Sequence, residues 1–298
     1  VGERLLTPDK IDFRNYLLER KDEAVGATLE AYLGNGGRVY YSHLSTQFDD
    51  FEERNQFRFY AGARAARKGY TMAPNVGSIP STYIRRLLEF GEYHNETDMH
   101  TIGAEITVGE WDVTTTFSKI ETFFDTWLPL PYYLRGVGTN FTYDLTNPQQ
   151  PIISIDENLA DISYPVAVVY TAQARLKTDT DQFKIDMSRY NDLGELKVGF
   201  KYDSRDGGGG GLGLWVGGAE GSWSPGGALP NYDSPDQLYI ENDWTNSIGA
   251  FYTNNRKMRE DMEAQGLVRS NFPADQLITI KETILSAYVS QIIEKDWG

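Results

Sequence analysis

Few side chains in this sequence stand at spacings that would do chemistry. The chain has three histidines and no cysteine, which excludes thiol catalysis, disulfides and cysteine-based zinc sites. His94 and His100 are six residues apart, a spacing that suits neither a helical metal pair nor a catalytic triad. The acidic run at 49–53 offers hard oxygen ligands of the kind that calcium takes, although such runs are more often a solvated rim. We therefore predict no catalytic residue, no metal site and no cofactor.

Motif searches give no enzyme signature. The glycine-rich stretch Gly207–Gly213 is not followed by Lys and Ser or Thr, so a phosphate-binding loop is not expected, and the unbroken run Gly207–Gly211 is unusual in itself. No Gly-x-Ser-x-Gly elbow is present. The chain contains 43 acidic residues, but no pair stands out by spacing as a glycosidase acid and base. A glycoside hydrolase is therefore less favoured than the two non-enzymatic classes described below, a transporter and a carbohydrate-binding module. We predict that the chain is not an enzyme.

Aromatic residues in the long connections are the better candidates for binding a ligand. Flat aromatic faces stack on sugar rings and apolar ligand surfaces. The alternative is that these aromatics pack the loops over one another. The candidate ligand-binding residues are Trp127, Tyr132, Tyr133, Trp215, Trp223, Tyr232 and Trp244.

These connections join segments in which apolar and polar residues alternate with a period of two, the pattern of half-buried β-strands. Residues 25–33 alternate in this way, turn at Gly34–Gly37 and return from Arg38. The pattern recurs at 102–108 and 111–117, and again at 183–187 and 196–202. Each pair is separated by a short stretch with turn composition, so each is predicted to be an antiparallel hairpin.

The connections are of two kinds. The predicted strands are approximately 21–33, 38–48, 97–108, 111–124, 168–190, 195–205 and 277–293. Short turns alternate with the long predicted loops 49–96, 126–164 and 206–274. Structureless loops above about 15 residues are uncommon in compact soluble domains. Short turns at one end and long loops at the other are typical of outer-membrane β-barrels.

The composition agrees with an all-β chain whose strands have one polar, solvated face and one apolar face. Mean hydropathy is -0.48, yet aromatic residues make up 13%. The net charge of -15 argues against nucleic acid as a partner, because phosphate binding needs clustered Lys and Arg. No stretch approaches the roughly 18 apolar residues of a membrane helix, but transmembrane strands escape that test because they are apolar only at alternate positions.

Several segments, taken in order, resemble the TonB-dependent outer-membrane receptors, in particular the large receptors of Gram-negative bacteria such as Caulobacter and the sphingomonads. The segments that carry the resemblance are 14–20, 51–59, 86–95, 194–202 and 281–288. The resemblance implies a barrel of roughly 22 strands closed by a plug, of which this chain supplies about seven. Neither a plug domain nor a closing C-terminal strand is recognisable, so we expect residues 1–298 to be a partial, mid-barrel segment.

The resemblance also implies a function. It predicts a bacterial outer-membrane transporter that takes up a siderophore, oligosaccharide or similar ligand, powered through the plug by a TonB-type energy-coupling protein. The partners would then be outer-membrane lipid, the remainder of the barrel and the plug, and the small-molecule or oligosaccharide ligand. The alternative from another class is a secreted β-sandwich carbohydrate-binding module, in which the apolar face would be buried between two sheets.

Overall fold

The structure is a computed structural model, and it is composed mainly of antiparallel strands. It describes residues 9–34, 36–60, 71–82, 84–134, 139–157, 164, 166–218, 232–238, 251–264, 266, 269 and 271–293. The strands are β1 (Lys10–Tyr32), β2 (Arg38–Tyr60), β3 (Thr71–Met72), β4 (Val76–Thr82), β5 (Ile84–Val108), β6 (Trp111–Leu134), β7 (Thr139–Asp144), β8 (Ile152–Ile155), β9 (Val166–Asn191), β10 (Gly194–Gly218), β11 (Asp233–Leu238), β12 (Phe251–Thr253) and β13 (Leu277–Ile293). One α-helix, α1 (Asn255–Ala264), lies between β12 and β13.

Seven long strands form one sheet in the order β1-β2-β5-β6-β9-β10-β13. Every pair is antiparallel, so the strands run up and down in chain order, and the predicted antiparallel sheet of seven strands is confirmed. Within the described residues β1 and β13 do not pair with each other, and both are edges of an open sheet.

Short turns connect the strands at one end of this sheet, here called the turn end. Gly36 and Gly109 have φ of 83° and 63°, values at which a residue with a Cβ is strained and glycine is not. At the third turn the side chain of Asn191 accepts a hydrogen bond of 3.0 Å from the Leu193 amide, as Asn often does in turns. The turn-forming residues at 34–37, 109–110 and 191–194 thus lie between consecutive strands, as their composition predicts.

At the opposite end, here called the loop end, the strands run further than the alternation predicted. β2 continues to Tyr60 and β6 to Leu134, so 49–60 and 126–134 are strand although loops 49–96 and 126–164 were predicted. In the same way, β5 begins at Ile84, inside the predicted loop 49–96, and β10 extends to Gly218, inside the predicted loop 206–274. The four strands β3-β4-β7-β8 form a second, small sheet from the remainder of these connections.

The buried core lies at the loop end. There the small sheet, the β11–β12 pair and α1 cover one face of the long strands. Phe59 of β2, for example, stacks on Phe141 of β7 at 5.4 Å between ring centres. The core consists of Phe13, Phe57, Phe59, Ile79, Ile84, Leu88, Trp127, Phe141, Tyr143, Ile153, Tyr164, Tyr232, Met258 and Met262. The turn end of the sheet has no such cover among the described residues.

Candidate functional site

The two faces of the sheet differ in chemistry at the turn end. Directly paired residues share a face, so the registers of the seven strands assign every side chain to one face or the other. Leu29, Ile102 and Phe117 lie on one face, which we call the band face, whereas Arg38, Lys184 and Lys201 lie on the other, the polar face.

On the band face, apolar side chains continue across all seven strands. The members of this apolar band, strand by strand, are Val25, Ala27, Leu29 and Ala31; Val39 and Tyr41; Ile102, Ala104, Ile106 and Val108; Trp111, Val113 and Phe117; Phe183, Ile185 and Met187; Leu196, Val198, Phe200 and Tyr202; and Leu285, Ala287, Val289 and Ile293. None is buried, and Leu29 and Val289 are 71% and 73% exposed. On four of the seven strands the band members span seven residues, a length of about 23 Å at about 3.3 Å per residue.

Behind the band, the polar face carries a network of ion pairs. The Arg38 guanidinium lies 2.9 Å from Glu30 and 2.6 Å from Glu105, bridging three strands. Three strands away, Asp186 pairs with Lys184 at 2.6 Å and accepts a hydrogen bond from the Tyr288 hydroxyl at 2.9 Å. These charged groups form ion pairs in a partly exposed environment, and the Arg38 group, with two carboxylates for one guanidinium, keeps an excess of negative charge.

A charged belt follows the apolar band on the band face, on the side of the loop end. His94 lies between two carboxylates there, 2.5 Å from Asp49 and 2.8 Å from Glu96, and these contacts raise its pKa, with the Asp49 hydrogen bond the largest cause. Lys177 similarly approaches Glu121 at 3.8 Å and Asp179 at 3.5 Å. In both places one basic side chain lies near two carboxylates, and no group of three or more potential metal ligands occurs among the described residues.

The acidic run 49–53, which falls in the predicted loop 49–96, lies in the middle of β2. Its members therefore alternate between faces. Asp49 and Glu53 lie on the band face, and Asp50 and Glu52 lie on the polar face. Glu53 accepts a hydrogen bond of 3.0 Å from the Tyr252 hydroxyl, and burial raises the pKa of both groups.

At the loop end, a buried polar network fixes β12 and α1 onto the band face of β2 and β5. The side chain of Asn55 accepts a hydrogen bond from the Thr253 amide and donates one to the Thr253 carbonyl, both at 3.0 Å. Arg86 donates to the Thr253 hydroxyl at 2.7 Å and lies 4.4 Å from the centre of the Phe57 ring. Asn255 donates to the backbone carbonyls of Arg54 and Glu89, at 2.9 and 2.8 Å, and so joins the two strands.

Helix α1 follows directly from this anchor. The Asn254 side chain caps the helix by accepting a hydrogen bond of 2.9 Å from the Lys257 amide. Met258 and Met262, four residues apart on one helix face, are buried against the sheet. Arg259 lies on the same side, 4.3 Å from the centre of the Trp127 ring, and forms ion pairs with Glu92 at 2.9 Å and Glu263 at 2.8 Å.

An open cleft of about 280 Å³ remains between α1 and the strands. Phe51 and Phe90 lie at its base with their ring centres 6.5 Å apart. Arg256 covers Phe90 at 5.0 Å and lies 3.2 Å from Glu19. The charged groups of the cleft are thus largely paired with each other.

The aromatic residues predicted to bind ligand lie in several different settings. Trp127 is in strand β6, buried in the core between the guanidinium groups of Arg259 and Arg269. Tyr232 is also buried and donates a hydrogen bond of 2.9 Å to Asp261. Both therefore pack the loop end together, as in the alternative weighed from the sequence.

The other candidates lie outside the described side chains. Tyr132, Tyr133 and Trp215 fall in strands of which only the backbone is described, and Trp223 and Trp244 fall outside the described residues. A ligand-binding role for these five stays a prediction. Sequence reasoning missed Asn55, Arg86 and Asn255, because single polar residues in strands and loops carry no motif.

Comparison with known proteins does not assign the chain to a family. No family model matches it, and no curated protein sequence and no solved structure is significantly similar to it. Within the described residues, no helix combines the length and the apolar character needed to cross a membrane.

Proposed function

We propose that the chain is part of an outer-membrane transport β-barrel of the TonB-dependent receptor type, with the apolar band in contact with lipid and the polar face lining a wet lumen. One observation carries the proposal: a continuous, exposed apolar band on seven strands, backed by an ion-paired polar face. Strands of outer-membrane barrels are apolar on one face and polar on the other, and short turns connect them at one end.

The size of the band supports lipid rather than water as its environment. Monomeric soluble proteins rarely expose contiguous apolar patches larger than a few hundred Å². Here exposed Leu, Ile, Val or Phe side chains of the band occur on six of the seven strands, and the band residues of β9 are half-buried. Each Å² of apolar surface withdrawn from water contributes about 25 cal/mol, so covering the band with acyl chains stabilises the sheet. On five of the seven strands the band spans seven to nine residues, most of the roughly 9–11 residues in a transmembrane strand.

The open edges set a further requirement. Unpaired backbone groups are not tolerated in a bilayer, so β1 and β13 must pair with further strands in the assembled barrel. Ligand uptake, the plug and the energy-coupling partner rest on the family resemblance. In this proposal the barrel binds and passes its ligand without breaking a bond.

Membrane flotation tests the proposal. When the chain is fractionated from its native host, together with the strands that complete its sheet, we expect it to float with the outer membrane on a density gradient and to be released by detergent but not by high salt. Flotation separates membrane-inserted protein from aggregates, which sink. A chain recovered as a soluble monomer in detergent-free buffer would refute the assignment.

A secreted β-sandwich module is the second candidate, and one observation favours it. The small sheet packs face to face on the long sheet at the loop end, through contacts such as Phe59 with Phe141. In a complete sandwich, however, the apolar side chains of the turn end would also be covered by a second sheet. Detergent-free solubility together with saturable binding to an oligosaccharide array is the result that would support the sandwich.

A further inference from the structure

Three carboxylates of two neighbouring strands lie in a row on the polar face near the loop end, around Gly91. In the register of β2 and β5, Glu52 lies directly opposite Gly91, Asp50 lies opposite Tyr93, and Arg54 lies opposite Glu89. We call Asp50, Glu52, Glu89, Gly91 and Tyr93 the Gly91 patch.

The missing side chain of Gly91 opens space for its neighbours. A Cβ at this position would lie 3.4 Å from Oε1 of Glu89, 3.3 Å from the Tyr93 ring and 3.1 Å from a methyl group of Leu128. The carboxylate, the ring and the methyl group therefore lean over Gly91, and the floor of the patch is bare backbone. The patch thus combines acidic groups with an aromatic and an aliphatic wall.

The acidic groups of the patch are incompletely paired. Arg54 contacts Glu89, and Arg20 lies 3.1 Å from Oδ2 of Asp50. The other oxygen of Asp50, Oδ1, accepts no hydrogen bond although only 9% of this side chain is exposed. Glu52 has no ion pair or hydrogen bond within the described part of the chain. Three carboxylates facing two guanidinium groups leave an excess of one negative charge and an unused buried acceptor.

Burial also affects the titration of this patch. It raises the pKa of Glu89 to about 7, an effect that Arg54 opposes and Glu52 reinforces. The pKa of Glu52 is raised as well, by burial and by the neighbouring Asp50. A further positive charge in the patch would stabilise all three carboxylates in their ionised form.

The patch is accessible from the side of β1. Leu18, directly opposite Glu52, is 47% exposed, and the Arg20 side chain is 53% exposed. The half-buried Glu52, together with Leu18 and Arg20, therefore forms the side from which a ligand can approach the patch.

We propose that the Gly91 patch binds the cationic head of an organic ligand, an ammonium, amidinium or guanidinium group, with its apolar part against Tyr93 and Leu128. The N–H groups of such a head would donate charge-assisted hydrogen bonds to Oδ1 of Asp50 and to Glu52. A metal ion is disfavoured because the described residues contain no group of three or more potential ligands. This inference rests on the proposed function, since it places the patch on the lumen face and names a ligand class for the transporter.

Isothermal titration of the detergent-solubilised full chain with benzamidine at pH 8 tests the inference. Benzamidine carries an amidinium on an aromatic ring, and benzamide is its neutral counterpart. We expect saturable binding of benzamidine, no binding of benzamide, and an affinity about tenfold lower in both Asp50→Asn and Glu52→Gln. Glu195→Gln removes a carboxylate from the same face, 3.0 Å from Lys197 and near the turn end, and is expected to leave the affinity unchanged.

Circular dichroism of each variant establishes folding. If Asp50→Asn misfolds, Glu52→Gln decides, since Glu52 is only half-buried and has no partner to lose. Absence of saturable benzamidine binding to the wild type, or equal affinity in the wild type and Glu52→Gln, overturns the inference. Flotation is measured separately. A chain that floats but does not bind benzamidine refutes only this inference, whereas a chain that binds benzamidine but does not float refutes the proposed function.

Discussion

Replacing Asn55 with Ala is expected to release β12 and α1 from the sheet while the rest of the sheet remains folded. The Asn55 side chain satisfies both the amide and the carbonyl of Thr253, each at 3.0 Å, and both residues are fully buried. The substitution removes the hydrogen bonds that the Asn55 side chain makes to these two backbone groups, in a region that water does not reach. Each unsatisfied buried group costs about 1–3 kcal/mol, and we take about 3 kcal/mol for the pair because the segment can partly relax.

Hydrogen exchange followed by mass spectrometry measures this effect segment by segment. A loss of about 3 kcal/mol corresponds to an approximately 100-fold loss of protection in peptides that cover 251–264. Peptides that cover 97–108, at the turn end, should be unchanged. Asn95→Ala is the matched control, because Asn95 is on the polar face of β5 and its side chain makes no hydrogen bond within the described residues. Unchanged protection of 251–264 in Asn55→Ala, or an equal loss in the control, would refute the reasoning.

Three further outcomes follow from the structure. Phe59→Ala removes a fully buried ring that stacks on Phe141, and should cost about 3–5 kcal/mol in denaturant unfolding; a cost below about 1 kcal/mol would contradict the core assignment. Leu29→Arg, on the apolar band, should lower the stability of insertion into lipid vesicles by about 2–4 kcal/mol, whereas Thr28→Arg on the polar face should change it little; equal effects would contradict a lipid-facing band. Burial raises the pKa of Glu89 from 4.5 to about 7 on folding. The stabilising contribution of the protonated carboxyl is therefore complete below pH 4.5 and is lost, by up to about 3 kcal/mol, as the pH rises through 7. The difference in unfolding free energy between the wild type and Glu89→Gln should change over this range, and a constant difference would contradict burial of the carboxyl.

The sequence predicted the turn end of the sheet well because one periodic signal dominates there. β13 was predicted at 277–293 and spans those residues, and the turn-side ends of β5 and β6 coincide with the predicted 108 and 111. A strand with one apolar and one polar face shows the alternation directly in its residues. The glycines of the turns add a second local signal, since Gly36 and Gly109 adopt positive φ.

The loop end could not be predicted in this way because residues on both faces of the central strands are buried there. Phe57 of β2 is buried on the band face and Gln56 on the polar face, so the alternation fades while the strand continues. Trp127 was consequently assigned to a loop although it lies in β6.

What the sequence alone determined is the set of seven strands, their turns and their two-faced chemistry, since these depend on neighbours one to four residues apart. Only the tertiary structure decided what surrounds the loop end. The Asn55–Thr253 clamp joins residues 198 positions apart, and the Gly91 patch exists because β2 and β5 pair in one particular register. A shift of that register by one residue would move Asp50 and Glu52 to the opposite face, so the candidate binding chemistry is a property of strand pairing rather than of any motif.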